Sequence, residues 1–105
     1  ESIVRIQNYS TAYFENNLFI DNYAGDWGVI DVHDSYSTLT FMNSTVVNNL
    51  DDNSNRGLIG IGGNNNTINM INSVVGLPTS NQKMIRNNSS TTHNFFARNS
   101  VFSKI

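Results

Sequence analysis

The residues able to do chemistry concentrate in one stretch, "GDWGVIDVHD" (25–34), where Asp26, Asp31 and Asp34 gather around His33 and Trp27. Paired carboxylates cleave glycosidic bonds when an acid and its partner stand roughly 5 to 9.5 Å apart. Asp51 and Asp52 bring the same groups into the next polar stretch, and Arg5 supplies a cation upstream. Trp27 adds an aromatic face of the kind that packs against a sugar ring. Arg5, Asp26, Trp27 and Asp31 are therefore the candidate sugar contacts.

Other chemistry finds less support. The two histidines, His33 and His93, fall in corresponding loops of different repeat units without being neighbours, and there is no Cys, so neither a zinc site nor a disulfide framework is expected. "GIGGNNNT" (60–67) lacks the Lys-Ser/Thr and the following helix of a phosphate loop. No cofactor, metal or catalytic residue is assigned. Charged residues make up 13% of the chain, the net charge is −2, and neither sign forms a block that would attract nucleic acid. No apolar run approaches the ~18 residues of a membrane span. The chain opens on Glu1 without a signal-peptide pattern, which reads as a mature product or an excised piece.

What must position these residues is a repeat. "AYFENNLFIDN" (12–22), "LTFMNSTVVNN" (39–49), "INMINSVVGLP" (68–78) and "FFARNSVFSKI" (95–105) align on an apolar residue, a second apolar residue two later, and then Asn. The anchors Asn16, Asn43, Asn72 and Asn99 are spaced 27, 29 and 27 apart. "IVRI", "VIDV" and "LIGI" precede the first three units, and "MIRN" (84–87) is a degraded fourth. Apolar residues alternate at period two and are rich in Val, Ile and Phe, which is strand chemistry. Asparagine accounts for nineteen of 105 residues, and good helix formers are scarce.

Three strands per unit with no helical crossover suit a coil that stacks on copies of itself. The expected fold is all-β, a right-handed parallel β-helix of about four coils (2–27, 28–56, 57–83 and 84–105) within one segment, 1–105. The inward columns are Val4/Ile6, Ile30/Val32, Ile59/Ile61 and Ile85; Ala12/Phe14, Leu39/Phe41, Ile68/Met70 and Phe95/Ala97; and Phe19, Val46, Val75 and Phe102. Asn tolerates the left-handed backbone region, so the anchors are expected at a sharp bend, joined as an amide ladder. Alternation turns Leu18, Ile20, Val47, Val74 and Val101 outward, as an apolar face for lateral packing, as positions covered by flanking chain, or as the sign of a register that is off by one residue.

"NNLFIDNYAGDWGVIDV" (16–32) and "NSTVVNN" (43–49) resemble the repeat of polymorphic-outer-membrane-type and adhesin-like β-helix surface proteins. The usual Gly-Gly before the strand is replaced by Trp27-Gly28 and Arg56-Gly57. The resemblance implies an extracellular or cell-surface location and a structural or adhesive role. Asn8, Asn65, Asn87 and Asn88 begin glycosylation sequons that suit such a surface. The same fold carries pectate lyases, polygalacturonases and phage tailspikes, but the Asn-Thr-Asp, Gly-His-Gly and Arg-Ile-Lys signatures of polygalacturonases do not occur. The expectation is a non-enzymatic stalk or filament element. Its partners would be further coils of flanking chain or other copies end to end, with carbohydrate or a host surface as a further ligand. The alternatives are a polysaccharide-binding or polysaccharide-degrading β-helix and a tailspike segment.

Overall fold

The computed structural model describes residues 2–25, 27–51, 57–77 and 82–104. Among them fourteen short strands follow one another without a helix: β1 (Val4–Ile6), β2 (Thr11–Glu15), β3 (Leu18–Ile20), β4 (Tyr23–Ala24), β5 (Ile30–Val32), β6 (Thr38–Met42), β7 (Thr45–Val47), β8 (Leu50–Asp51), β9 (Gly57–Ile61), β10 (Thr67–Ile71), β11 (Val74–Leu77), β12 (Lys83–Asn87), β13 (Asn94–Arg98) and β14 (Val101–Lys104). They form three four-stranded parallel sheets, β1-β5-β9-β12, β2-β6-β10-β13 and β3-β7-β11-β14. Each of these pairings joins a strand to its equivalent one coil away, and the result is a parallel β-solenoid. Four strands per sheet correspond to about three complete turns between the first layer and the last, slightly fewer than the four coils expected. A fourth strand per coil, seen among the described residues as the β4–β8 pair, was not foreseen, because two residues are too few to show a period. No helix of the described residues is long and apolar enough to cross a membrane.

Period-two alternation places the core. Ile30, Val32, Ile59, Leu39, Phe41, Ile68, Met70, Val46 and Val75 from the middle coils are sealed from solvent. Full burial of such side chains stabilises by roughly 1.5 to 3 kcal/mol each. Phe41 stacks on Phe14 at 5.1 Å and meets Phe19 edge-on at 5.9 Å, so one aromatic joins two layers and two sheets. The core is a single column of coils, so its end layers have a neighbour on one side only. Val4, Ala12, Phe14, Phe19 and Ile85 are only partly covered, and Phe95 and Phe102 remain 39% and 40% exposed.

The bends follow one rule. Asn16, Asn43, Asn72 and Asn99 all take left-handed backbone with φ between 47° and 57°, a region that Asn enters at less cost than other non-Gly residues. The carbonyl ladder runs up to the bend, as Asn43 N–H reaches the Ile71 carbonyl at 3.0 Å, and resumes after it, as Val74 N–H reaches the Ser44 carbonyl at 2.9 Å. In between, the N–H of the residue after the Asn is met by a side chain of the next coil. Asn17, Ser44 and Ser73 donate to the hydroxyls of Ser44, Ser73 and Ser100 at 3.1 to 3.2 Å. Each hydroxyl in turn donates back to its own coil, for example Ser73 to the Ile71 carbonyl at 2.8 Å.

The other bends repeat this chemistry with different residues. Asp21 and Asn48 take positive φ, and the following Asn22 N–H donates to the buried Asn49 Oδ1 at 3.0 Å. Tyr36 and Asn65 do the same; Ser37 N–H donates to Asn66 Oδ1 at 2.7 Å, and Asn66 N–H to His93 Nδ1 at 3.3 Å. That last bond requires an unprotonated ring nitrogen. Burial pushes His93 below its ordinary pKa and so favours that state.

The anchoring asparagines therefore shape the bend from outside, with exposed side chains, and the described bond between them is Asn72 Nδ2 to Asn43 Oδ1 at 3.3 Å. The buried rung is the small polar residue that follows. Ser73→Ala, which leaves the Ser44 N–H without its acceptor, is expected to cost about 1 to 3 kcal/mol. Asn72→Gly keeps the left-handed bend and is expected to cost less than about 1 kcal/mol. Urea unfolding of the two variants checks the order.

Candidate functional site

The outward face of the first sheet carries the row Arg5, Asp31, Gly60 and Arg86, one residue per coil in register. Arg5 Nε donates to Asp31 Oδ2 at 2.8 Å. An outward carboxylate would ordinarily be solvated, yet Asp31 is only 1% exposed. Arg5 and the His33 ring lie against it, and the connection leading into β5 passes over the neighbouring Gly60. Gly28, at φ 101°, turns that connection, and the Trp27 carbonyl oxygen lies over Gly60, where any Cβ would collide with it. Trp27 itself is 43% exposed and meets the His33 ring edge-on at 5.8 Å.

His33 stands between two carboxylates. Its Nδ1 lies 3.8 Å from Asp31 Oδ1, and its Nε2 lies 3.7 Å from Asp34 Oδ1. The imidazole thus occupies the space that a glycosidic oxygen would need between an acid and its partner, so Asp31 and Asp34 do not converge on a common substrate position. Asp51 is buried on β8, in register with Ala24, and is not a member of this row. Asp26 and Asp52 lie outside the described residues. Among the described residues no three metal-ligating side chains gather.

The structure brings Arg5, Asp31 and Trp27 to one face of one sheet. Asn88 Nδ2 also lies near Gly60 of that row, and the other described candidates lie elsewhere. Asn8, Asn65 and Asn88 are exposed; the Asn87 side chain closes a local turn, accepting from Ser89 N–H at 2.9 Å and donating to the Thr91 carbonyl at 3.1 Å. Leu18, Ile20, Val74 and Val101 project outward and are 38% to 67% exposed, with Val47 half-buried between them. The inward column of that sheet is Phe19, Val46, Val75 and Phe102, so the outward set is a real face of the sheet and the register is the expected one.

Sequence reasoning missed a second aromatic feature. Tyr9 and Tyr36 stack at 5.6 Å with ring planes 4° apart, both largely exposed and both at positive φ. Left-handed backbone at a bulky residue costs roughly 1 to 2 kcal/mol. The 27-residue spacing of Tyr9 and Tyr36 was the available signal. Also missed were the buried amides Asn49, Asn66 and Gln82; Gln82 Nε2 donates to the Asn49 carbonyl at 2.9 Å.

No protein-family profile, curated protein or solved structure matches the chain.

Gly60→Ala is expected to lift the Trp27 connection off the sheet, because the obstructing atom is backbone and cannot turn aside. Overpacking of this kind costs about 1 to 3 kcal/mol. Trp27 is the sole tryptophan, so its fluorescence reads the site directly. The variant should show a red-shifted emission and stronger quenching by iodide; an unchanged spectrum would mean that the connection does not lie on Gly60.

Proposed function

We propose that the chain is a non-enzymatic structural or adhesive element of an extracellular surface, a rigid β-solenoid segment of a stalk or filament. The observation that carries this reading is the rule at the bends. Coil after coil, a left-handed residue is followed by a side-chain rung to the next layer, so stiffness is built along the axis. The resemblance of the repeat to adhesin-like surface proteins points the same way. The outward apolar set Leu18, Ile20, Val74 and Val101 suits lateral packing against another rod. Four layers span only about 19 Å at ~4.8 Å per layer, so a stalk requires continuation by further coils or further copies.

A second reading, carbohydrate binding, is favoured by the exposed Trp27 beside His33 and by the stacked Tyr9–Tyr36 pair. Flat exposed aromatics are the contact surfaces that sugars use.

Electron microscopy of the protein isolated from its native source separates the two. Uniform narrow rods or fibres are expected. Compact particles that bind or cleave a polysaccharide, with the binding lost in Trp27→Ala, would overturn the structural reading in favour of the second.

A further inference from the structure

We propose that Asn65 carries an N-linked glycan and that the stacked Tyr9–Tyr36 pair is the seat on which its first sugar rests. The proposal rests on the extracellular reading above and names the modified residue and the surface that holds the modification.

Five Asn-x-Ser/Thr sequons begin at Asn8, Asn43, Asn65, Asn87 and Asn88. The fold already uses three of these amides. Asn43 Oδ1 accepts from Asn72 Nδ2 at 3.3 Å, the Asn87 side chain closes its local turn, and Asn88 Nδ2 is turned toward Gly60, where the Trp27 carbonyl already lies. Asn8 and Asn65 are exposed, and neither side chain makes a hydrogen bond among the described residues.

What separates these two is the neighbour one coil away. The register that sets Thr11 beside Thr38 and Thr38 beside Thr67 puts Asn8 in line with Ser35 and Asn65 in line with Tyr36. Tyr9, Tyr36 and Asn65 form one column, all in left-handed backbone with φ of 61°, 56° and 54°. Their side chains therefore leave successive coils in the same direction. For the two tyrosines this gives rings stacked at 5.6 Å with planes 4° apart. For Asn65 it sets the amide over the face of Tyr36 that Tyr9 leaves open.

A bulky aromatic takes left-handed backbone at a cost that Asn or Gly largely avoids, yet the chain does so in two adjacent coils. The ring, not the bend, is what the position needs. Tyr9 supports Tyr36 as a flat platform. Asn65 is held as firmly: its N–H donates to the Thr92 carbonyl at 3.2 Å, and the next residue, Asn66, is fully buried and accepts from Ser37 N–H at 2.7 Å. A layer spacing of ~4.8 Å brings a pyranose on Asn65 into van der Waals reach of the Tyr36 ring. The sugar would cover tyrosines that are otherwise 74% and 57% exposed.

The modification joins the anomeric carbon of the sugar to Asn65 Nδ2. The bond from that carbon to the phosphate oxygen of a lipid-phosphate sugar donor breaks, the lipid phosphate leaves, and the amide gives up one proton.

Peptide mass mapping of the protein from its native source, after a membrane-impermeant label is applied to the intact source, tests the modification. A labelled chain with a glycan on Asn65 is expected. A labelled chain with bare Asn65 would overturn the glycan and leave the surface reading intact; a chain that the label does not reach would overturn the surface reading itself. The seat is tested on the chain secreted from a cell that attaches N-glycans, as the native sequence, Tyr36→Phe and Tyr36→Gly. Glycine keeps the left-handed bend without the ring, and circular dichroism verifies strand content. Removal of the glycan by peptide N-glycosidase leaves Asp at position 65 in all three. It should raise the urea unfolding constant about two- to tenfold in the native sequence and Tyr36→Phe, the range of an aromatic contact, by more than in Tyr36→Gly. An equal change in Tyr36→Gly would overturn the seat.

Discussion

Everything in this fold depends on how an N–H is satisfied immediately after a left-handed residue. A bend tight enough to turn one short strand into the next breaks the carbonyl ladder for one peptide, and an inward N–H without a partner costs about 1 to 3 kcal/mol. The chain repeats that bend in each coil, so the penalty would accumulate. A hydroxyl or amide in the next layer accepts the bond and returns one to its own coil, as Ser44, Ser73 and Ser100 do in one column and Asn66 in another. Layers are therefore tied both by backbone pairing and by side-chain rungs. A slip of register would break every rung as well as misplace every core residue.

Much of this was legible in the sequence, because stacking forces equivalent residues to recur at a fixed interval. The columns through Phe41, Ile59 and Val75 follow from period-two alternation repeated every 27 to 29 residues. Even Ile85, in the degraded fourth unit, keeps its place beside Ile59. The division of labour at the bend was less legible. Asn repeats conspicuously at 16, 43, 72 and 99, whereas the rung one residue later is Asn once and Ser three times, and a small polar residue draws little notice. The enclosure of Asp31 was hidden for a different reason. It goes with Arg5 and His33 against the carboxylate and the Trp27 carbonyl crossing the sheet at the neighbouring Gly60, contacts that no local pattern encodes.

The same economy shapes the candidate site. A solenoid face offers one outward residue per coil per row, so a cluster needs acids at equivalent positions in successive coils. Here the row reads Arg5, Asp31, Gly60, Arg86. One acid is clamped by one base, the next position is emptied of side chain so that a connection can fold over, and His33 fills the gap toward Asp34. The Arg5–Asp31 bond ties one coil to the next, and the residues most suited to chemistry are thereby engaged in contacts within the fold. The exposed aromatics, Trp27 and the Tyr9–Tyr36 pair, stay at the surface where a ligand or another rod would meet them.

Amide hydrogen exchange followed by NMR tests the rung most directly. The backbone N–H groups of Ser37, Ser44 and Ser73, each bonded only to a side chain of the next coil in the contacts described, should exchange as slowly as the amides of β6 and β10 that flank them. Exchange at the rate of an open loop, with β6 and β10 still protected, would show that the coils hold together through backbone pairing and core packing alone, and would contradict the account.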